Sequence, residues 1–384
     1  MEAMAETMEY FKQFSSNSLA GSGNQLFFCM KDGEVQTGRV FYRITAPGEF
    51  NYSLLFSNVM DSTYSDGKLS HSNLICREWM IHAARIGICK EIPTNINWSK
   101  MAESDCDDEN YADIQVSDFQ IATFDGKTEK NVMPGEFFAS DPIKLSFDAD
   151  TYLCLELTFS GSMIPYHEES LLPMVLQTED GRWKYSRKMP VAGMIGCDRW
   201  VKGRIAYLGD SITQGIGTDI NTYSHWNAVL SRKLNQAYSF WNLGIGFART
   251  GDGASDGAWL YKAKKNDVVF VCLGVNDILQ GVCAEQIEQN LETIVAVLKN
   301  AGKRVVLQTI PPFNYSAEDI DKWKRVNTYI QTVLKEKADI IFDNVPLLRE
   351  NEGNSHIAAF GGHPNAQGCA VWGEVLYEAI RAWL

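Results

Sequence analysis

At 384 residues the chain is long for a single hydrophobic core, so two domains are expected. With 45% apolar and 22% charged residues it has the balance of a globular protein, which excludes disorder on a large scale. A net charge of -13 repels phosphate backbones and anionic head groups, making nucleic acid and membrane surfaces poor partners.

The first residues, Met1-Glu2-Ala3-Met4-Ala5-Glu6, lack the basic start and the apolar stretch of roughly 7–15 residues that mark a secretory signal. No stretch approaches the ~20 apolar residues of a membrane span. Nine scattered cysteines with no Cys-x-x-Cys pair argue against structural zinc and fit a reducing, cytoplasmic setting. From about residue 25 to 165 the pattern is period two. Val40 to Ile44 and Tyr52 to Phe56 are strand-like, as are Ile143, Leu145 and Phe147, and Leu153, Leu155, Leu157 and Phe159 alternate with Cys154, Glu156 and Thr158. Pro47-Gly48, Asp66-Gly67, Asp125-Gly126 and Asp148-Ala149-Asp150 punctuate these runs. Alternation broken by turns predicts an antiparallel sheet with one face in the core, hence an all-β sandwich or jelly roll over residues 1–198.

From Gly203 the rhythm changes. Short apolar runs at Ile205 to Leu208, Phe240 to Leu243, Val268 to Leu273, Val305 to Leu307 and Ile340 to Phe342 alternate with helical stretches. The clearest helix is Glu285 to Lys299, with Ile287, Leu291, Ile294, Val295 and Leu298 on one stripe. Five strands alternating with helices predict an α/β domain over residues 199–384, a three-layer, flavodoxin-like arrangement around a parallel five-stranded sheet. Functional residues are expected at the carboxyl ends of its strands.

Four candidates fall there. Ser211, in Gly209-Asp210-Ser211-Ile212 after the first strand, suits an exposed nucleophile on a sharp strand-to-helix turn, and equally suits a helix cap. Gly244 ends the second strand, where a glycine lets a backbone N–H approach a ligand and is also an ordinary turn residue. Asn276, in Gly274-Val275-Asn276-Asp277 after the third strand, offers an uncharged donor to an oxyanion, or an Asx-turn. His363, before Pro364 and the last helix, can take a serine proton and return it to a leaving group. Each motif alone is modest; four in order along one sheet are specific.

In that combination the second half resembles the SGNH (GDSL) hydrolase superfamily, whose four blocks carry Ser, Gly, Asn and His in this order. The resemblance implies Ser211 and His363 as catalytic residues and Ser211, Gly244 and Asn276 as the oxyanion hole, with no metal or organic cofactor. It further implies a serine esterase forming an acyl-enzyme on small acyl esters, acetyl foremost, carried by sugars or oligosaccharides. That plan matches two-domain carbohydrate acetyl esterases in which a β-sandwich precedes the hydrolase. A lipase or thioesterase on longer chains, and an inactive carbohydrate-binding protein, are the alternatives. One departure stands out: the family has an aspartate three residues before the histidine, and this chain has Phe360. The expectation is a Ser–His dyad, with Asp343 and Glu352 the nearest upstream carboxylates. Aromatic residues near the motifs include Phe247, Trp259 and Phe360. Oligomeric state is left open by the sequence.

Overall fold

Among the described residues, the period-two runs of the first half pair antiparallel. The structure, a computed structural model, describes residues 9–62, 72–92, 114–348 and 362–384. It divides into two compact units, one of residues 1–60 and 74–200, the other of residues 61–73 and 201–384.

The first unit holds a five-stranded and a seven-stranded antiparallel sheet, with smaller two-stranded pairings beside them. In the larger sheet, strand Tyr152–Gly161 is central, hydrogen-bonded to Gln36–Arg43 on one side and Trp79–Cys89 on the other. In the smaller sheet, Gly48–Ser57 pairs with Met194–Cys197 and with Ile143–Phe147. Ile143, Leu145 and Phe147 are buried while Lys144 and Ser146 are exposed, as alternation requires. Inward aromatics join the sheets: the Trp79 and Phe138 rings lie 6.5 Å apart edge to face. At Asp125-Gly126 both residues have positive φ, 52° and 75°, the backbone of a tight hairpin turn between Phe124 and Lys127. The Asp66-Gly67 turn signal lies outside the described residues.

On strand Tyr152–Gly161 the alternation misleads. Leu153, Leu155, Leu157 and Phe159 are buried as expected, but Cys154 and Glu156 on the opposite face are buried too. Glu156 accepts from Arg39 Nε at 2.8 Å and Arg85 Nε at 2.8 Å. The Arg39 guanidinium lies 4.0 Å from the Trp183 ring centroid, and that of Arg85 4.6 Å from Phe119. A polar residue therefore sits beneath a stacked polar roof, which period two cannot distinguish from a wet face.

In the second unit the strands are β1 (Gly203–Gly209), β2 (Tyr238–Gly244), β3 (Val268–Cys272), β4 (Arg304–Gln308) and β5 (Ile340–Phe342). They are parallel and ordered β2-β1-β3-β4-β5, so the order reverses at β1 and opens a crevice at its carboxyl end. Every residue of β2 and β3 is buried, because helices cover both faces. The helices are α1 (Ser211–Gln214), α2 (Trp226–Leu234), α3 (Thr250–Ala254), α4 (Ala258–Ala263), α5 (Val275–Leu279), α6 (Ala284–Asn300), α7 (Ala317–Thr332), α8 (Val345–Leu348) and α9 (Ala366–Ile380). Trp226 of α2 and Trp372 of α9 stack at 5.0 Å, and the predicted stripe of α6 is buried. No helix among the described residues is long and apolar enough to cross a membrane.

Candidate active site

The β1–α1 turn is shaped by close packing. A side-chain carbon at Gly209 would collide with Thr213 and lie 2.6 Å from the Cys272 carbonyl, so only glycine lets β1 end here. Asp210 is the N-cap of α1, accepting from the Ile212 N–H at 3.0 Å. Ser211 is thus the first helical residue, and its own N–H is among those a helix leaves without an internal partner. The cap thus falls on Asp210, and Ser211 opens the helix at the carboxyl end of β1.

Ser211 Oγ lies 2.9 Å from His363 Nε2, although 152 residues separate them. His363 is held where the chain enters α9: Asn365 caps that helix, accepting from the Gln367 and Gly368 N–H groups at 3.0 Å each. The Phe313 ring meets the imidazole edge to face at 5.1 Å. Gly217, with φ of 98°, abuts the same loop. A Cβ there would stand 2.5 Å from the Pro364 carbonyl oxygen and 2.9 Å from His363 Cβ. Sequence reasoning passed over Gly217 and Phe313. The Gly215-Ile216-Gly217 run so soon after Ser211 was the available signal for the first, and nothing local marked the second.

Asn276, the second residue of α5, donates from Nδ2 to the Ala248 carbonyl at 3.0 Å. That carbonyl belongs to the loop between β2 and α3. Next to it, Asp277 accepts from the Thr250 N–H at 2.9 Å and the Thr250 hydroxyl at 2.6 Å. Gly244 behaves differently from its expected part as a backbone donor toward an oxyanion. Its N–H donates to Asn242 Oδ1 at 2.9 Å, and a Cβ on it would collide with the Gln214 backbone. Glycine is needed there so that the end of β2 can lie flush against α1.

Two carboxyl groups are sealed beneath the site. Burial pushes Asp210 up to about 7, with the Asp277 charge adding to it and the Ile212 N–H opposing. Burial likewise pushes Asp277 up to about 6 against the Thr250 hydroxyl and amide bonds. Of the carboxylates considered for His363, Asp343 accepts from the Thr309 hydroxyl at 3.0 Å and the Val345 N–H at 3.2 Å. Glu352 and Phe360 lie outside the described residues. Trp259 is a core residue, its indole N–H donating to the Leu243 carbonyl at 2.7 Å, whereas Phe247 is exposed with φ of 62°.

Over 163 residues the chain is 30% identical to Esterase TesA of Pseudomonas aeruginosa, across 41% of this chain and 77% of that protein. The GDSL-like Lipase/Acylhydrolase family matches residues 207–371. The chain belongs to that family. The matched span contains Ser211, Gly244, Asn276 and His363. It is also 27% identical over 252 residues to an acetylxylan esterase of Xylanibacter ruminicola, across 58% of this chain and 49% of that one. Among solved structures it is similar to a member of the lipolytic G-D-S-L family from Veillonella parvula, with 20% identity, coverage of 46% and 98%, and a TM-score of 0.40.

Proposed function

We propose that this family member is a serine esterase that removes small acyl groups, chiefly acetyl, from sugar or oligosaccharide hydroxyls. The observation that carries the reading is the 2.9 Å approach of Ser211 Oγ to His363 Nε2, at the strand ends of a family of ester hydrolases. Ser211 Oγ attacks the ester carbonyl carbon while its proton passes to His363 Nε2. The carbonyl oxygen becomes an oxyanion, stabilised by the Ser211 N–H and the Asn276 carboxamide. Collapse breaks the bond to the sugar oxygen, which leaves with the proton from His363. Water then repeats the sequence on the acyl-enzyme, releasing the carboxylic acid and restoring Ser211. Gly244 contributes to this scheme by seating α1.

The preference for acetyl esters rests on the similarity to the acetylxylan esterase. We further propose that His363 works in a dyad, a reading motivated by Phe360 standing where the family has its aspartate. The test compares hydrolysis of p-nitrophenyl acetate and p-nitrophenyl laurate by the full chain and by Ser211→Ala. Acetate turnover lost in Ser211→Ala is the expected result. Laurate preference would instead point to a lipase or thioesterase, and turnover that survives Ser211→Ala would end the proposal.

A further inference from the structure

Residues 61–73 lie, in sequence, between two short strands of the first unit, yet they are part of the second compact unit. The described ends of this segment are bound by polar contacts, buried at Asp61 and partly exposed at Asn73. Asp61 Oδ2 meets Lys262 Nζ of α4 at 2.6 Å, with side-chain exposures of 0% and 2%. Desolvating two charges is costly, and a fixed partner of opposite charge offsets it. Were Asp61 to withdraw, the buried Lys262 ammonium would lose its carboxylate, so the contact does not open at little cost. At the other end Asn73 donates to the Ser255 hydroxyl at 2.9 Å and accepts the Ala258 N–H, at the first turn of α4, at 2.9 Å.

Ser62, beside the ion pair, donates from Oγ to Asp252 Oδ2 at 2.8 Å. The same carboxylate oxygen accepts the Arg249 N–H at 2.8 Å, closing the turn that starts α3. The neighbouring residue is Ala248, whose carbonyl receives the Asn276 carboxamide. We propose that Ser62 is a positioning residue for Asn276, an assignment resting on the reading of Asn276 as an oxyanion donor. By fixing Asp252, Ser62 fixes the Arg249 peptide and with it the Ala248 carbonyl that sets the angle of the Asn276 side chain. Oxyanion donors stabilise a transition state to the extent that they are held in place before charge develops. The hydrolase site is thereby tuned by a residue some 150 positions upstream of the nucleophile.

The experiment uses the full chain and p-nitrophenyl acetate. Ser62→Ala is expected to lower kcat about three- to tenfold with KM unchanged, and Ser62→Thr to restore it to within about twofold, because the hydroxyl returns. In an Asn276→Ala background, Ser62→Ala is expected to add less than about twofold, since its effect runs through that side chain. Wild-type kcat in Ser62→Ala, or an undiminished loss in the Asn276→Ala background, overturns the assignment. Failure of the underlying reading looks different: Ser211→Ala stays active, and both proposals fall together.

Discussion

The two units bury carboxylates in opposite ways. In the antiparallel unit Glu156 is held by Arg39 and Arg85, which are themselves stacked on Trp183 and Phe119. The carboxylate is a fastening that joins three neighbouring strands through charge. In the parallel unit Asp210 and Asp277 are met by N–H and hydroxyl donors at the site, and burial raises both toward the neutral form. Sealing a carboxylate with arginines stabilises a sheet. Sealing one with backbone donors shapes a turn and leaves the acid poorly solvated, a strain that proteins tolerate at sites with chemistry to perform.

That contrast is testable from its strongest consequence downward. If the polar groups of the parallel unit serve the reaction, Asn276→Ala lowers kcat about 10²–10³-fold with a smaller change in KM. Steady-state kinetics on p-nitrophenyl acetate read this directly, and a change confined to KM would assign Asn276 to ground-state binding. Next comes pH. A carboxyl group whose folded value lies near 7, against about 3.9 unfolded, keeps its proton in the native state while the unfolded chain has released it. Its contribution to stability is complete below about pH 4 and is lost as pH rises toward 7, by up to about 1.4 kcal/mol per pH unit. Asp210→Asn keeps an oxygen to accept the Ile212 N–H but has no proton to lose. Its unfolding free energy in urea should therefore gain on wild type between pH 5 and pH 8, and parallel pH curves would show that Asp210 is ionised throughout.

Smaller effects sharpen the other side of the comparison. Arg39→Ala removes one of two charged donors from Glu156 and should cost about 1.5–3 kcal/mol of stability. If the Glu156 cluster is purely a fastening, kcat stays at the wild-type value, and a parallel loss of kcat would break the distinction between the units. The smallest effect is expected at Asp343. With its carboxylate engaged by Thr309 and Val345, Asp343→Asn should leave kcat within about threefold, under ~0.7 kcal/mol of barrier. A loss near 10⁴-fold would restore a triad acid to the mechanism.

Apolar periodicity determined the change from antiparallel to parallel architecture near Gly203 and the five strands of the second unit, and the motifs after those strands brought Ser211, Asn276 and His363 forward in order. Those features are local: a run of apolar residues reports its own burial, and a motif after a strand reports its own turn. Tertiary structure decided what the chain cannot express locally. Asn242, two residues away, takes the Gly244 N–H because a backbone at the end of β2 must pack against α1, so a glycine legible as a donor serves close approach instead. Cys154 and Glu156 are buried because two arginines on neighbouring strands close over that face. Gly217 lies against His363, and Asp61 against Lys262 across 201 residues, because the fold returns distant segments to one place. Partnerships of that kind follow from chain topology, and pattern along a sequence carries no record of them.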